Sequence, residues 1–218
     1  MMAERGDFTM VHEPFSYLAE FGQTEVAGER VTSTAELISV LTSLGRDGRV
    51  FAKETTGRHY PEVLADRQFL AAGAQHTFLI RHPRETIASY RAIDPGAGLH
   101  KIGFESQYEI FAEVCRLTCR IPAVIDAEDL VTRPAAIIGA YCAQAGIEFR
   151  PGALTWQPSD RPEWQPSRRW HADAAGSTGF ARMAARPVTN PERDSVLSGY
   201  LSYHLPFYDR LHAQRLTA

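Results

Sequence analysis

Residues 78–90, FLIRHPRETIASY, concentrate the groups of this sequence best suited to chemistry. The apolar run before Arg81 reads as a buried strand, and Pro83 opens a helix directly after it, proline being favoured at the first helical position. Arg81 and Arg84 therefore flank a helix start. Free N–H groups and the positive end of the helix dipole favour an anion there, and a guanidinium fork suits phosphate oxygens. Ser89, on the same helix, adds a hydroxyl donor. The competing reading is a solvated ion pair between Arg81 or Arg84 and Glu85 or another carboxylate. The residues alone leave the two evenly matched.

The elements that must position these groups follow from periodicity. FTMVH (8–12) reads as a strand stopped at Glu13-Pro14, and VFAKET (50–55), HTFLIR (76–81) and PAVID (122–126) read as further strands. Between them, Ser33 to Glu36 forms a capping-box pattern ahead of Leu37, Val40, Leu41 and Leu44 at helical spacing. Helices are also predicted over 61–73, from Pro83, over 104–119 and from Pro134 to Ala145, with a closing helix over 191–204. Strands alternating with helices predict an α/β fold, a parallel sheet flanked by helices, in a single domain spanning 1–218.

In such sheets ligands bind beyond the carboxyl ends of the strands. Glu13, at one such end, is a candidate proton acceptor, or else a helix cap or arginine partner. His12 is the weaker candidate, since strand alternation points it to the opposite face. Lys53, inside an otherwise apolar strand, calls for an anion beside it. Glu54 points the other way and reads as structural, and Asp126, Glu128 and Asp129 read as a turn or helix cap. Residues 150–190 lose all periodicity and carry Arg168, Arg169, Trp170 and His171. An irregular stretch of that length is more often a lid or binding loop than filler. Trp170 either stacks on a flat ring or packs the loop down.

Composition excludes little. A net charge of −3 with 44% hydrophobic and 22% charged residues is ordinary for a globular chain, and argues weakly against nucleic acid as partner. No apolar run reaches the roughly 18 residues of a spanning helix, and there is no signal peptide pattern, so a soluble cytoplasmic protein is expected. Cys115, Cys119 and Cys142 form no disulfide set, and the first two read as buried apolar side chains. His59, His76, His100, His204 and His212 are scattered without metal-ligand spacing.

FLIRHPRETIASY resembles the 3′-phosphate-binding segment of sulfotransferases that use 3′-phosphoadenosine 5′-phosphosulfate (PAPS). FTMVHEPF resembles their strand and Glu-Pro turn, VFAKET their lysine-bearing strand, and VIDAEDLVTRPAAIIGAYCAQAGIEF their strand, Glu-Asp-Leu turn and helix. The likeness runs over roughly 8 to 180, with 78–90 its most specific part. It implies a P-loop nucleotide hydrolase-like architecture, PAPS as donor, 3′-phosphoadenosine 5′-phosphate (PAP) as product, and no metal. It further implies that Arg81 and Ser89 hold the 3′-phosphate, with Arg84 beside them at the helix start. Arg168 and Arg169, where similar proteins fold a loop over the nucleotide, either reach that phosphate or pack the loop down, and Trp170 would stack on the nucleotide's flat ring. Lys53 would then steady the leaving group, with Glu13 or His12 taking the proton of a small-molecule or carbohydrate acceptor. A homodimer is among the assemblies allowed. Family members open with a strand and a Pro-x-Ser-Gly-type loop around the 5′-phosphosulfate, whereas MMAERGD resembles the tail of the helix after it. No GxxxxGKS or GxxxxGKT sequence replaces that loop, which also weighs against a P-loop kinase or nucleotidase. The expected architecture therefore lacks the first strand and phosphate loop. The alternative function is a truncated, non-catalytic domain that binds an adenine nucleotide or a partner.

Overall fold

A computed structural model describes residues 1–182 and 190–218. After a 3-10 turn at Met2–Arg5 come β1 (Thr9–His12), α1 (Pro14–Phe21), β2 (Thr24–Val26), β3 (Glu29–Val31), α2 (Thr34–Asp47) and β4 (Val50–Lys53). The middle of the chain holds α3 (Pro61–Ala65), a π-helical turn at Phe69–Gly73, β5 (Thr77–Ile80), α4 (Pro83–Ile93), α5 (Phe104–Thr118) and β6 (Ala123–Asp126). Then follow α6 (Ala127–Thr132), α7 (Pro134–Ala145), a 3-10 segment at Pro162–Trp170, α8 (Ala172–Ala175) and α9 (Ser195–His212). The 183–189 part of the expected lid lies outside the described residues.

The α/β alternation is present, with parallel strands flanked by helices. β1 pairs with β4 from Thr9↔Val50 to His12↔Lys53, and β5 pairs with β6 from Thr77↔Ala123 to Ile80↔Asp126. The single sheet expected is divided, however, because no pairing among the described residues joins the two parallel pairs. A short antiparallel hairpin, β2–β3, is an addition. Its two-residue turn, Ala27 at φ 53 and Gly28 at φ 82, has the left-handed conformation at both positions that tight hairpins need. Three-residue strands are too brief to show alternation in sequence.

Local capping fixes the helix starts. The Ser33 hydroxyl accepts from Glu36 N–H at 3.3 Å, while the Glu36 carboxylate reaches back to Thr32 N–H at 2.9 Å. Asp126 Oδ1 accepts from Glu128 and Asp129 N–H groups at 2.9 and 3.3 Å, so this acidic cluster caps a helix. The helix predicted over 61–73 breaks at Asp66. That residue leaves helical geometry and its carboxylate accepts from Phe69 N–H at 2.9 Å, starting a new turn. The closing helix starts later and runs longer than predicted, because Asp194 caps it and Pro206 is carried inside it. Cys119 is exposed rather than buried: it sits at φ 53 as the C-cap of α5.

The main core gathers Phe78, Ile80, Ile87, Phe111, Val124 and Leu197 between β5, β6, α4, α5 and α9. A second cluster, with Ile125, Ile137, Ile138 and Tyr141, covers the other face of β6. No described helix is long and apolar enough to cross a membrane. Ile87 is 0% exposed and Val196 57% exposed. Ile87→Ala should lower the unfolding free energy by about 2–5 kcal/mol in urea titration, and Val196→Ala by no more than about 0.5 kcal/mol.

Candidate active site

β1 ends in an unusual turn. Glu13 has φ 44 and ψ 45, left-handed values that a non-glycine residue seldom adopts, and its N–H donates to the Lys53 carbonyl at 2.7 Å. The turn overturns the expectation that His12 and Glu13 face opposite ways. Strand alternation holds only while the backbone stays extended, and the twist brings Glu13 Oε1 to 3.7 Å from His12 Nε2. The β1–β4 register places Lys53 opposite His12, and Lys53 Nζ donates to Glu13 Oε1.

Glu13 occupies the N-cap of α1 without capping it. That task falls to Glu54, whose carboxylate accepts from the N–H groups of Phe15 and Ser16 at 2.7 and 3.2 Å. Pro14, at the first helical position, has no N–H to satisfy. The Glu13 carboxylate is thereby left for Lys53, and it is 9% exposed while the lysine is 42% exposed.

His12 is pushed down to about 4, first by burial and then by Lys53 and His171, with Glu13 opposing. It is neutral at pH 7, and its Nε2 is buried with no hydrogen-bond partner among the described residues. His171 lies against it, ring centroids 4.9 Å apart, and burial holds this imidazole low as well. Trp164 stacks on His171 at 5.0 Å. A hydrogen-bond chain fastens the segment: Tyr17 shares a hydrogen with Ser167 at 2.7 Å, and Ser167 Oγ lies 3.1 Å from His171 Nε2. The 162–171 segment is thus a roof over Glu13 and His12. Tyr17, Trp164 and Ser167 were missed in sequence. Tyr17 carried a faint signal, four residues after Glu13 on the first turn of α1.

The other predicted site residues are placed less uniformly. Arg168 is exposed and pairs with Asp160 at 2.7 Å, and the Arg169 guanidinium lies 5.3 Å from the Trp170 ring centre. Trp170 itself packs on Tyr90 of α4 at 4.5 Å. Arg81 lines a separate cavity of about 390 Å³ with His82, Glu85, Asp126, Tyr208 and Arg215. Its Nε donates to Glu85 at 2.8 Å, the ion pair that the sequence offered as the alternative, and Arg84 pairs with Glu192. Ser89 is exposed one turn beyond Glu85 and outside that cavity. The fold brings His12, Glu13 and Lys53 together, and Ser89 does not line the cavity that Arg81 lines.

A family model described as a sulfotransferase domain matches residues 1–215. The chain belongs to the sulfotransferase domain family. That membership supports a sulfotransferase-type function, transferase in class. Two Arabidopsis thaliana proteins, named branched-chain-amino-acid aminotransferase-like protein 2 and 1, are each 30% identical to this sulfotransferase domain over 145 and 149 residues. Those alignments cover 65% and 66% of the chain, which spans about a quarter of the length of either relative. Among solved structures, a sulfotransferase domain from the curacin biosynthetic pathway aligns with a TM-score of 0.41 and 14% identity, covering 77% of this chain and 67% of that one.

In this sulfotransferase domain, burial lowers four imidazoles, those of His12, His76, His171 and His204. Unfolded, each takes up a proton as pH falls below about 6.5; folded, each resists until lower pH. Their contribution is therefore fully present above that value and is lost on acidification. Glu54, raised by burial, acts in the opposite sense but is a single group. The melting temperature should fall steadily from pH 7.5 to pH 5, with a shallower slope in His12→Gln. A melting temperature that rises on acidification would refute this.

Proposed function

We propose that this domain transfers a sulfuryl group from PAPS to a hydroxyl or amine of a small-molecule or carbohydrate acceptor. The observation that carries the reading is the Lys53–Glu13 pair at the carboxyl ends of two paired parallel strands, roofed by residues 162–171. It combines a cation for a leaving group with a carboxylate for a proton, in the crevice where such sheets bind ligands.

In the proposed step the acceptor oxygen or nitrogen attacks sulfur in line. The bond between sulfur and the bridging oxygen of the donor breaks, and that oxygen departs with its electron pair on the 5′-phosphate of PAP. The acceptor's proton passes to Glu13, and the Lys53 ammonium balances charge on the departing oxygen. Before substrates arrive, the Lys53 ammonium is the partner of this mostly buried carboxylate. His12, neutral and with a free ring nitrogen beside Glu13, is the second candidate base. Arg81 and Arg84 are assigned to the 3′-phosphate, which must displace Glu85 and Glu192 from the guanidinium groups. Arg168, Arg169 and Trp170 are assigned to the same nucleotide, the support being that Trp170 packs on Tyr90 of α4.

A non-catalytic domain that binds a nucleotide or a partner is the second reading. The charge balance around Arg81 favours its partner-binding form, since Glu85 pairs with Arg81, Glu128 with Arg182 and Asp129 with Arg215, and each guanidinium is already matched.

Two measurements separate the readings. PAP should raise the melting temperature of the wild type, and Arg81→Ala should abolish that rise. Release of PAP from PAPS, with water or a panel of phenols and sugars as acceptor, should fall about 100-fold or more in Lys53→Ala and in Glu13→Gln while PAP binding persists. A PAP-dependent rise without PAPS turnover would favour the second reading in its nucleotide-binding form, and no response to either ligand would overturn the sulfotransferase reading and leave only partner binding.

A further inference from the structure

Away from this crevice, three segments bring two histidines and two carboxylates together. His59 follows β4, His100 lies in the 3-10 turn Leu99–Ile102, and Glu105 and Glu109 occupy the first turns of α5. His100 Nδ1 lies 3.3 Å from Glu105 Oε2, and His59 Nε2 lies 3.7 Å from the same oxygen. The three ligand atoms all fall within 4.8 Å of one another. Two donors bound to one ion at roughly 2.0–2.1 Å with tetrahedral angles stand roughly 3.3–3.4 Å apart, so two of these spacings already approach a shared metal.

The surroundings resemble a prepared site more than a chance meeting of exposed ions. His59 Nδ1 lies 3.0 Å from Glu109 Oε2, which turns Nε2 and its lone pair toward Glu105. A carboxylate on the far nitrogen of a ligating histidine is the usual outer support of a metal site. The Glu105 carboxylate is also reached by Tyr203 and by His100 Nδ1. The backbones are also pressed together. A Cβ on Gly103 would meet the Thr56 carbonyl oxygen at 2.7 Å, and one on Gly57 would meet the Lys101 carbonyl oxygen at 3.1 Å. At Gly103 only glycine permits that approach, and at Gly57 a Cβ would have to push its neighbour back by a few tenths of an ångström. Across this close packing His59 and His100 face each other with ring centroids 6.3 Å apart.

We propose that His59, His100 and Glu105 bind a divalent transition-metal ion, zinc in the first instance, with Glu109 orienting His59. Two imidazoles and one carboxylate suit zinc rather than calcium or magnesium, which take oxygen ligands. Exposure of both rings leaves room for water in the fourth position. The ion would staple the loop after Lys53 to the start of α5, stabilising the sheet end that carries the Lys53–Glu13 pair. The proposal goes beyond the sulfotransferase reading, whose family resemblance implies no metal, and does not depend on it.

The test is calorimetric titration of the metal-free chain with ZnCl2, paired with thermal unfolding. The expected result is one ion per chain and a melting temperature about 5–10 °C higher at a zinc concentration a hundredfold above Kd. His59→Ala and His100→Ala should each weaken binding at least tenfold, and Glu109→Gln about tenfold. All three side chains are exposed, and circular dichroism of each variant confirms that it folds. Absence of binding at about 1 mM ZnCl2 would overturn the proposal. So would binding that survives in His59→Ala and His100→Ala but is lost in His171→Ala, because the ion would then sit at His12, Glu13 and His171 instead.

Discussion

One backbone conformation sets the geometry of the candidate active site. Glu13, at φ 44, leaves the strand by a left-handed step that costs a residue with a Cβ about 1–2 kcal/mol. Three neighbours hold it there. Its N–H is taken by the Lys53 carbonyl, Pro14 fixes the next φ, and Glu54 satisfies the N–H groups of α1 that a residue at this position ordinarily caps. The product of that strain is a carboxylate turned back over its own strand, against Lys53 and 3.7 Å from His12. Strain stored where charged groups converge is a common mark of a working site.

Carboxylates at helix starts organise much of the remainder. Asp126 opens α6, Asp194 opens α9 and Ser33 with Glu36 opens α2, each accepting N–H groups that would otherwise lack partners. Asp126 has a second partner in the buried Tyr208 hydroxyl at 3.2 Å, and burial with this carboxylate pushes the phenol far up. This tie joins the end of β6 to α9. Glu13 departs from the pattern as an acidic N-cap residue that leaves the capping of its helix to Glu54, so its own carboxylate meets Lys53 instead.

The irregular segment works as an aromatic clamp. Trp164 and His171 cover His12, while Trp170 reaches Tyr90 on α4. One short stretch therefore touches both the helix that follows Arg81 and the Glu13 turn. Its hold on α1 is polar, through Tyr17 and Ser167, and its cover over His12 is apolar enough to keep that imidazole neutral.

What the sequence by itself determined is local. Pro83 after an apolar strand, Ser33 before a leucine-spaced helix, and the breaks at Gly146 and Pro134 were legible because caps and periods act over one or two turns. The 78–90 segment and the strand-end placement of Glu13 and Lys53 followed from the same short-range rules, together with the family likeness. Tertiary structure decided the rest. Whether His12 and Glu13 share a face depended on one φ angle, set by contacts with Lys53 and Glu54 some forty residues away. Which carboxylate each arginine meets, and that His59 meets His100 beside Glu105, depended on which segments pack together. A sequence states what charge each residue carries, but only the packed chain brings charges to within 4 Å, where their partners and protonation are settled.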